Sequence, residues 1–169
     1  MIRPSENDYP AYAKNYVSLV KGDSVAEIIA LHNEELLSFV ESLPDTKANY
    51  AYAENKWSVK EVLQHIIDTE RVFSYRALAL ARGEKQSLPG FEQNDYAAQS
   101  FANTRAFSDL KEEYFALRFA SNILFRSFRP SALTNRGLIN NYEVSCLAII
   151  YMTFGHALHH KRILINNYL

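Results

Sequence analysis

The chain has 169 residues, enough to bury one sizeable core and too few for two ordinary domains. A composition of 48% hydrophobic and 22% charged residues excludes the disordered and membrane-spanning classes. With 18 Lys plus Arg against 19 Asp plus Glu, nothing in the charge balance draws the protein to nucleic acid or to an anionic membrane.

Residues 1–23 read as an arm, with one short helix between Ala11 and Val20 and tyrosines suited to packing on the remainder. They contain no apolar core of the signal-peptide kind. Residues 24–169 read as a single domain. Prolines at 4, 10, 44, 89 and 130 mark where helices are absent, because proline costs roughly 3 kcal/mol in a helix interior. Ser24-Val25-Ala26-Glu27 matches a capping box, in which the Ser side chain takes the N3 amide and the Glu reaches back to the N-cap amide. It predicts a helix from Ser24 toward Leu43, stopped by Pro44. Ser58-Val59-Lys60-Glu61 repeats the signature and starts a second helix running to about Arg82, where Gly83 can supply the left-handed terminal residue.

The connector Glu84–Phe107, roughly 24 residues, exceeds an ordinary loop and reads as a crossover that makes the second and third helices parallel. The third helix is expected from Ser108 to just before Pro130. The fourth runs from about Glu143 to the C-terminus, with Leu147, Ile150, Tyr151, Phe154 and Leu158 at helical spacing. The longest apolar run, Cys146 to Phe154, is too short to span a bilayer. No segment alternates as a strand should. The expected fold class is all-α, a four-helix bundle of helices about 30 to 39 Å long.

His65 falls on the stripe of Val62, Ile66, Thr69, Val72 and Phe73 and should point into the bundle. His156 and His160, at i and i+4, share a face with Ile149, Thr153 and Ile163, so they can hold one ion together. Three inward histidines from two helices can supply three nitrogen ligands and leave coordination positions open. The bland alternative is a set of hydrogen-bonded core histidines, although two adjacent buried imidazoles need partners that aliphatic neighbours do not provide. Gly155 costs about 1 kcal/mol relative to alanine in a helix interior, which points to close approach of another helix. His159, one residue off the register, reads as a boundary residue, with a ligand or proton-shuttle role as the alternatives. His32 reads as exposed.

Cys146 precedes His156 by about 15 Å of helix and is not a ligand. As the single cysteine it also excludes an intramolecular disulfide, and a reducing cytoplasm is the expected home. The His156–His160 spacing matches that of zinc proteases, but Ala157 stands where that chemistry needs a glutamate base. Glu61, Asp68 and Thr69 lie near His65 and are candidates to hold its second nitrogen or a water. The competing reading makes Glu61 a cap and Asp68, Glu70 and Arg71 a solvated face. No Gly-x-Ser-x-Gly elbow, Walker loop or dinucleotide-binding turn occurs.

The run Lys56-Trp57-Ser58-Val59-Lys60-Glu61-Val62-Leu63-Gln64-His65-Ile66-Ile67-Asp68-Thr69-Glu70-Arg71 resembles the second-helix signature of the DinB/YfiT-like superfamily of metalloenzymes. Leu88-Pro89-Gly90-Phe91-Glu92 and the segment Gly155 to His160 resemble that family too. The resemblance implies an up-down-down-up bundle, a divalent metal, zinc or nickel foremost, with His65, His156 and His160 as its ligands, and a homodimer. It also implies thiol S-transfer as one family chemistry, with a low-molecular-weight thiol as a small-molecule substrate. A tri-histidine metal suits activation of either a thiol or a water, hence transferase or hydrolase, with Asn94 and Asp95 of the crossover expected near the substrate mouth. The alternative is a non-catalytic metal- or ligand-binding bundle. Eleven tyrosines and ten phenylalanines leave aromatic surface enough for a dimer interface.

Overall fold

The computed structural model describes residues 3–169. Four long helices form the bundle: α2 (Val25–Glu41), α3 (Val59–Ala81), α5 (Phe107–Arg126) and α7 (Cys146–Asn167). Shorter helices α1 (Lys14–Leu19), α4 (Gln93–Ser100) and α6 (Pro130–Leu133) decorate it. The Ser58 box forms completely: its side chain accepts from the Glu61 amide, and Glu61 accepts from the Ser58 amide at 2.7 Å. At the start of α2, Ser24 caps Glu27, but the Glu27 carboxylate reaches one residue further back, to the Asp23 amide. Gly83 ends α3 at φ +78°, in the left-handed region that favours glycine.

Contacts between helices give their directions. Going down α3, Gln64 meets Arg105, Arg71 meets Glu113 and Ser74 meets Ser121, so α3 and α5 run parallel. His65 faces His156 while Cys146 faces Ala77, so α3 and α7 are antiparallel. Asn33 with Asn122, and the Glu41 carbonyl with Lys111, make α2 and α5 antiparallel. The result is the up-down-down-up order, with the crossover carrying the chain back along the bundle. That connector holds α4, so it is not a structureless loop.

Two expectations need correction. Residues Arg136–Ile139 (β1) and Tyr142–Ser145 (β2) form an antiparallel hairpin, and α7 therefore starts at Cys146 rather than Glu143. Its two-residue loop is Asn140-Asn141, with φ of 49° and 66°, the paired left-handed conformation that matches strand twist. Strands of four residues are too short to establish a period, which is why alternation did not reveal them. Leu88 bridges to Ile139 and ties the crossover to the hairpin.

The second correction is His32, which is buried. Its Nε2 accepts from the Lys21 amide at 2.8 Å, because the chain leaving α1 passes over this face of α2. α1 packs on α7 at Gly155, where a Cβ would collide with the Tyr16 carbonyl. The glycine thus admits the backbone of the arm, which closes one side of the site described next.

Candidate metal centre

His65 points from α3 toward α7, and His156 and His160 point back from successive turns of α7. All three are buried. Their ring centroids lie 4.8 Å apart for His65–His156, 4.8 Å for His65–His160 and 4.5 Å for His156–His160. The Nε2 atoms of His65 and His156 are 3.0 Å apart. One nitrogen from each ring falls within 4.8 Å of the other two. Nitrogens bound at about 2.1 Å to one tetrahedral ion sit roughly 3.4 Å from each other, so the cluster needs little adjustment to close on a cation.

The electrostatics favour neutral imidazoles. Burial brings His65 down to about 4, and burial with the neighbouring histidines brings His160 down to about 3. His156 is held well below its ordinary value by burial and then by His160, His65 and His159. Neutral rings offer lone pairs, which is the state a metal requires. His160 Nδ1 is buried with no hydrogen-bond partner, and among the described residues no carboxylate touches any of the three rings. The donor set fits a divalent cation better than it fits a satisfied polar core.

The two carboxylates proposed to orient these rings are otherwise engaged. Glu61 is spent on the helix cap and Asp68 accepts from Gln64 Nε2 at 2.8 Å. Thr69 Oγ1 lies buried and unpartnered in the wall of the site. Glu70 is not on a solvated face: it is buried and paired with Arg118 of α5. His159 is partly exposed, with its ring 5.2 Å from Tyr16, outside the cluster of three. The Cys146 thiol is buried and pushed up to about 12, so it supplies no nucleophile.

A cleft of about 260 Å³ opens onto His65 and His156, bounded by Tyr12 and Tyr16 of the arm, Phe73 and Arg76 of α3, the Gly90–Gln93 stretch and Asn140 at the hairpin tip. Trp57 packs over His65 with ring centroids 4.8 Å apart. Asn94 and Asp95 do not line this cleft. Glu92 and Gln93 do, while Asp95 faces a separate groove with Tyr96 and Gln99. The cap at the start of α4 sets this, since Glu92 accepts from the Asn94 amide and turns the following residues outward. Arg76, Tyr12, Tyr16 and Asn140 escaped sequence reasoning. Only Arg76 carried a signal, lying eleven residues beyond His65 and so on the same helical stripe.

The fold is thus a helical bundle with a buried cluster of three histidines at a helix interface, a group that could hold a metal ion. The sequence profile of the DinB superfamily matches residues 28–164, and the chain belongs to that superfamily. Two solved structures share the fold. YfiT from Bacillus subtilis, described as a probable metal-dependent hydrolase with an unusual four-helix bundle topology, aligns with a TM-score of 0.68 at 15% identity, covering 94% of this chain and 87% of that one. The mycothiol-dependent maleylpyruvate isomerase aligns with a TM-score of 0.66 at 12% identity, covering 92% of this chain and 60% of that one. No curated protein matches the chain by sequence. No helix among the described residues is long and apolar enough to cross a membrane.

Proposed function

We propose that the protein is a metal-dependent enzyme in which His65, His156 and His160 hold one divalent ion, zinc or nickel, and that it activates a thiol or water nucleophile for transfer or hydrolysis. The observation that carries this reading is the convergence of three neutral, buried imidazoles, two of them lining an open cleft, with His160 Nδ1 unpartnered. A bound divalent ion supplies positive charge that lowers the pKa of a coordinated water or thiol. The chain's own groups do the rest. Trp57, Tyr16 and Phe73 wall the histidines with aromatic surface and limit access by bulk water. Thr69 contributes to the cleft wall, its Oγ1 buried and unpartnered.

The metal-dependent description of YfiT supports the metal, and the mycothiol dependence of the isomerase supports a low-molecular-weight thiol as substrate. The reading includes a homodimer working in the cytoplasm. For the dimer, α5 exposes Phe119 and Ile123 one turn apart.

Elemental analysis of untagged protein purified without added metal tests the site. Wild type should carry about one equivalent of a divalent ion, and His65→Ala and His160→Ala should each lose it. A protein that holds no metal and takes none up on titration overturns the proposal. With metal established, a screen of thiols against electrophiles tests the chemistry. If His156→Ala merely melts earlier and no substrate is ever turned over, the ion is structural.

A further inference from the structure

Arg76 is the unexplained charge of the cleft. Its side chain is only 7% exposed, yet it forms no ion pair among the described residues. Of the five N–H donors of a guanidinium, one is used, by Nη2 to the Pro89 carbonyl at 2.6 Å. The guanidinium carbon sits 5.7 Å from the ring centroid of Phe73 and 5.7 Å from that of Phe91, sandwiched between α3 and the crossover. The one carboxylate in the cleft wall, Glu92, accepts from Asn94 instead. The Tyr12 and Tyr96 hydroxyls lie near Arg76, while burial holds its pKa below the usual arginine value.

A buried cation without a counter-ion is costly, and the chain leaves it facing the cleft that reaches the histidines. Phe73 stands between the two, with its ring 6.1 Å from that of His156. We infer that Arg76 receives an oxyanion of the substrate, a carboxylate or phosphate group, and so orients a small acidic molecule with its other end toward His65 and His156. The free donors suit the planar, two-oxygen face of a carboxylate especially well. Arg76 is then a specificity-determining residue. This rests on the proposed function only in taking the cleft as the substrate's, and the Arg76 site stands or falls separately from the metal.

Trp57, the single tryptophan of the chain, lies against His65 and provides the readout. Metal-loaded protein is titrated with succinate, with succinamide as its uncharged counterpart and with inorganic phosphate, following Trp57 fluorescence. Succinate should bind saturably and succinamide should not. Arg76→Gln, which can still donate to Pro89, should weaken succinate at least about tenfold, the order expected for losing a charge-assisted bond, with metal content unchanged. Arg76→Lys should fall between the two and serves where Arg76→Gln does not fold. Saturation by phosphate but not succinate assigns the pocket to phosphate esters. Equal succinate affinity in wild type and Arg76→Gln, or affinity lost only in metal-free His156→Ala, places the anion elsewhere and overturns the assignment. So does the absence of saturation by either anion.

Discussion

His65 and Glu70 lie just over one turn apart on α3, both buried, and they meet opposite neighbours. His65 turns to α7, where it finds two more imidazoles with no charge to answer them and a cleft leading in. Glu70 turns to α5, where Arg118, fully buried, answers its charge and lies over the Phe154 ring at 4.5 Å from its centroid. Burial pushes the Glu70 carboxyl up and the guanidinium opposes it. One region is uncharged and open to a cleft, and the other is charge-paired and sealed, with Glu70 Oε1 and Arg118 Nε and Nη1 buried without hydrogen-bond partners of their own. Ordinary packing explains the second, since a paired charge can be tolerated inside a bundle and fixes which helices face each other. The first is the region that the proposed divalent ion would complete.

The contrast is broken most directly at Glu70. Glu70→Ala leaves Arg118 buried and alone, which should cost about 3–5 kcal/mol in urea denaturation, while the folded fraction keeps its metal. Glu70→Leu with Arg118→Met should recover most of the loss. If Glu70→Ala leaves stability unchanged, or strips the metal, the two regions are not independent.

Acid sharpens the other side. In protein stripped of metal, His65 and His160 bind protons only near 4 and 3 when folded, against an ordinary value of 6.5. The unfolded chain therefore takes up more protons as pH falls. The stability these histidines contribute is fully present above about pH 6.5 and is lost as pH falls toward 4, at up to about 1.4 kcal/mol per pH unit for each. His65→Ala should flatten that slope, as read by denaturation at pH 7 and pH 5. An unchanged slope means the rings are not held neutral by burial.

Smaller effects separate the site's wall from its frame. Gly155→Ala sets a methyl against the Tyr16 carbonyl and should cost about 1–3 kcal/mol by overpacking, visible as a lower Tm and as altered Trp57 emission if the arm moves off the cleft. Ser58→Ala removes the α3 cap and a bond to Asn103 and should cost about 1 kcal/mol without touching metal content.

The frame was legible because its signals are local. Ser58 with Glu61 fixes where α3 begins, and that start sets the face on which His65 lies. The i, i+4 spacing puts His156 and His160 on one face of α7 wherever that helix begins. Contacts between distant segments were not legible. Asp68, Glu70 and Arg71 read alike as a charged run, yet Glu70 is drawn inside by a guanidinium 48 residues away. His32 carries no mark of the arm that covers it, and the stripe Arg76 shares with His65 does not tell that Pro89 and Phe91 close over it.

The sequence by itself determined the four long helices, their parallel middle pair and the common face of His156 and His160, because caps, prolines and helical period act within a few residues. Only the tertiary structure decided which side chains share a cavity. It brought His65 within 3.0 Å of His156 across 91 residues of chain, folded the Asn140 tip over the cleft, and left Arg76 buried with a carbonyl and two aromatic rings but no carboxylate partner among the described residues. Those outcomes depend on long-range packing, where the burial of distant apolar faces sets the position of every polar group between them.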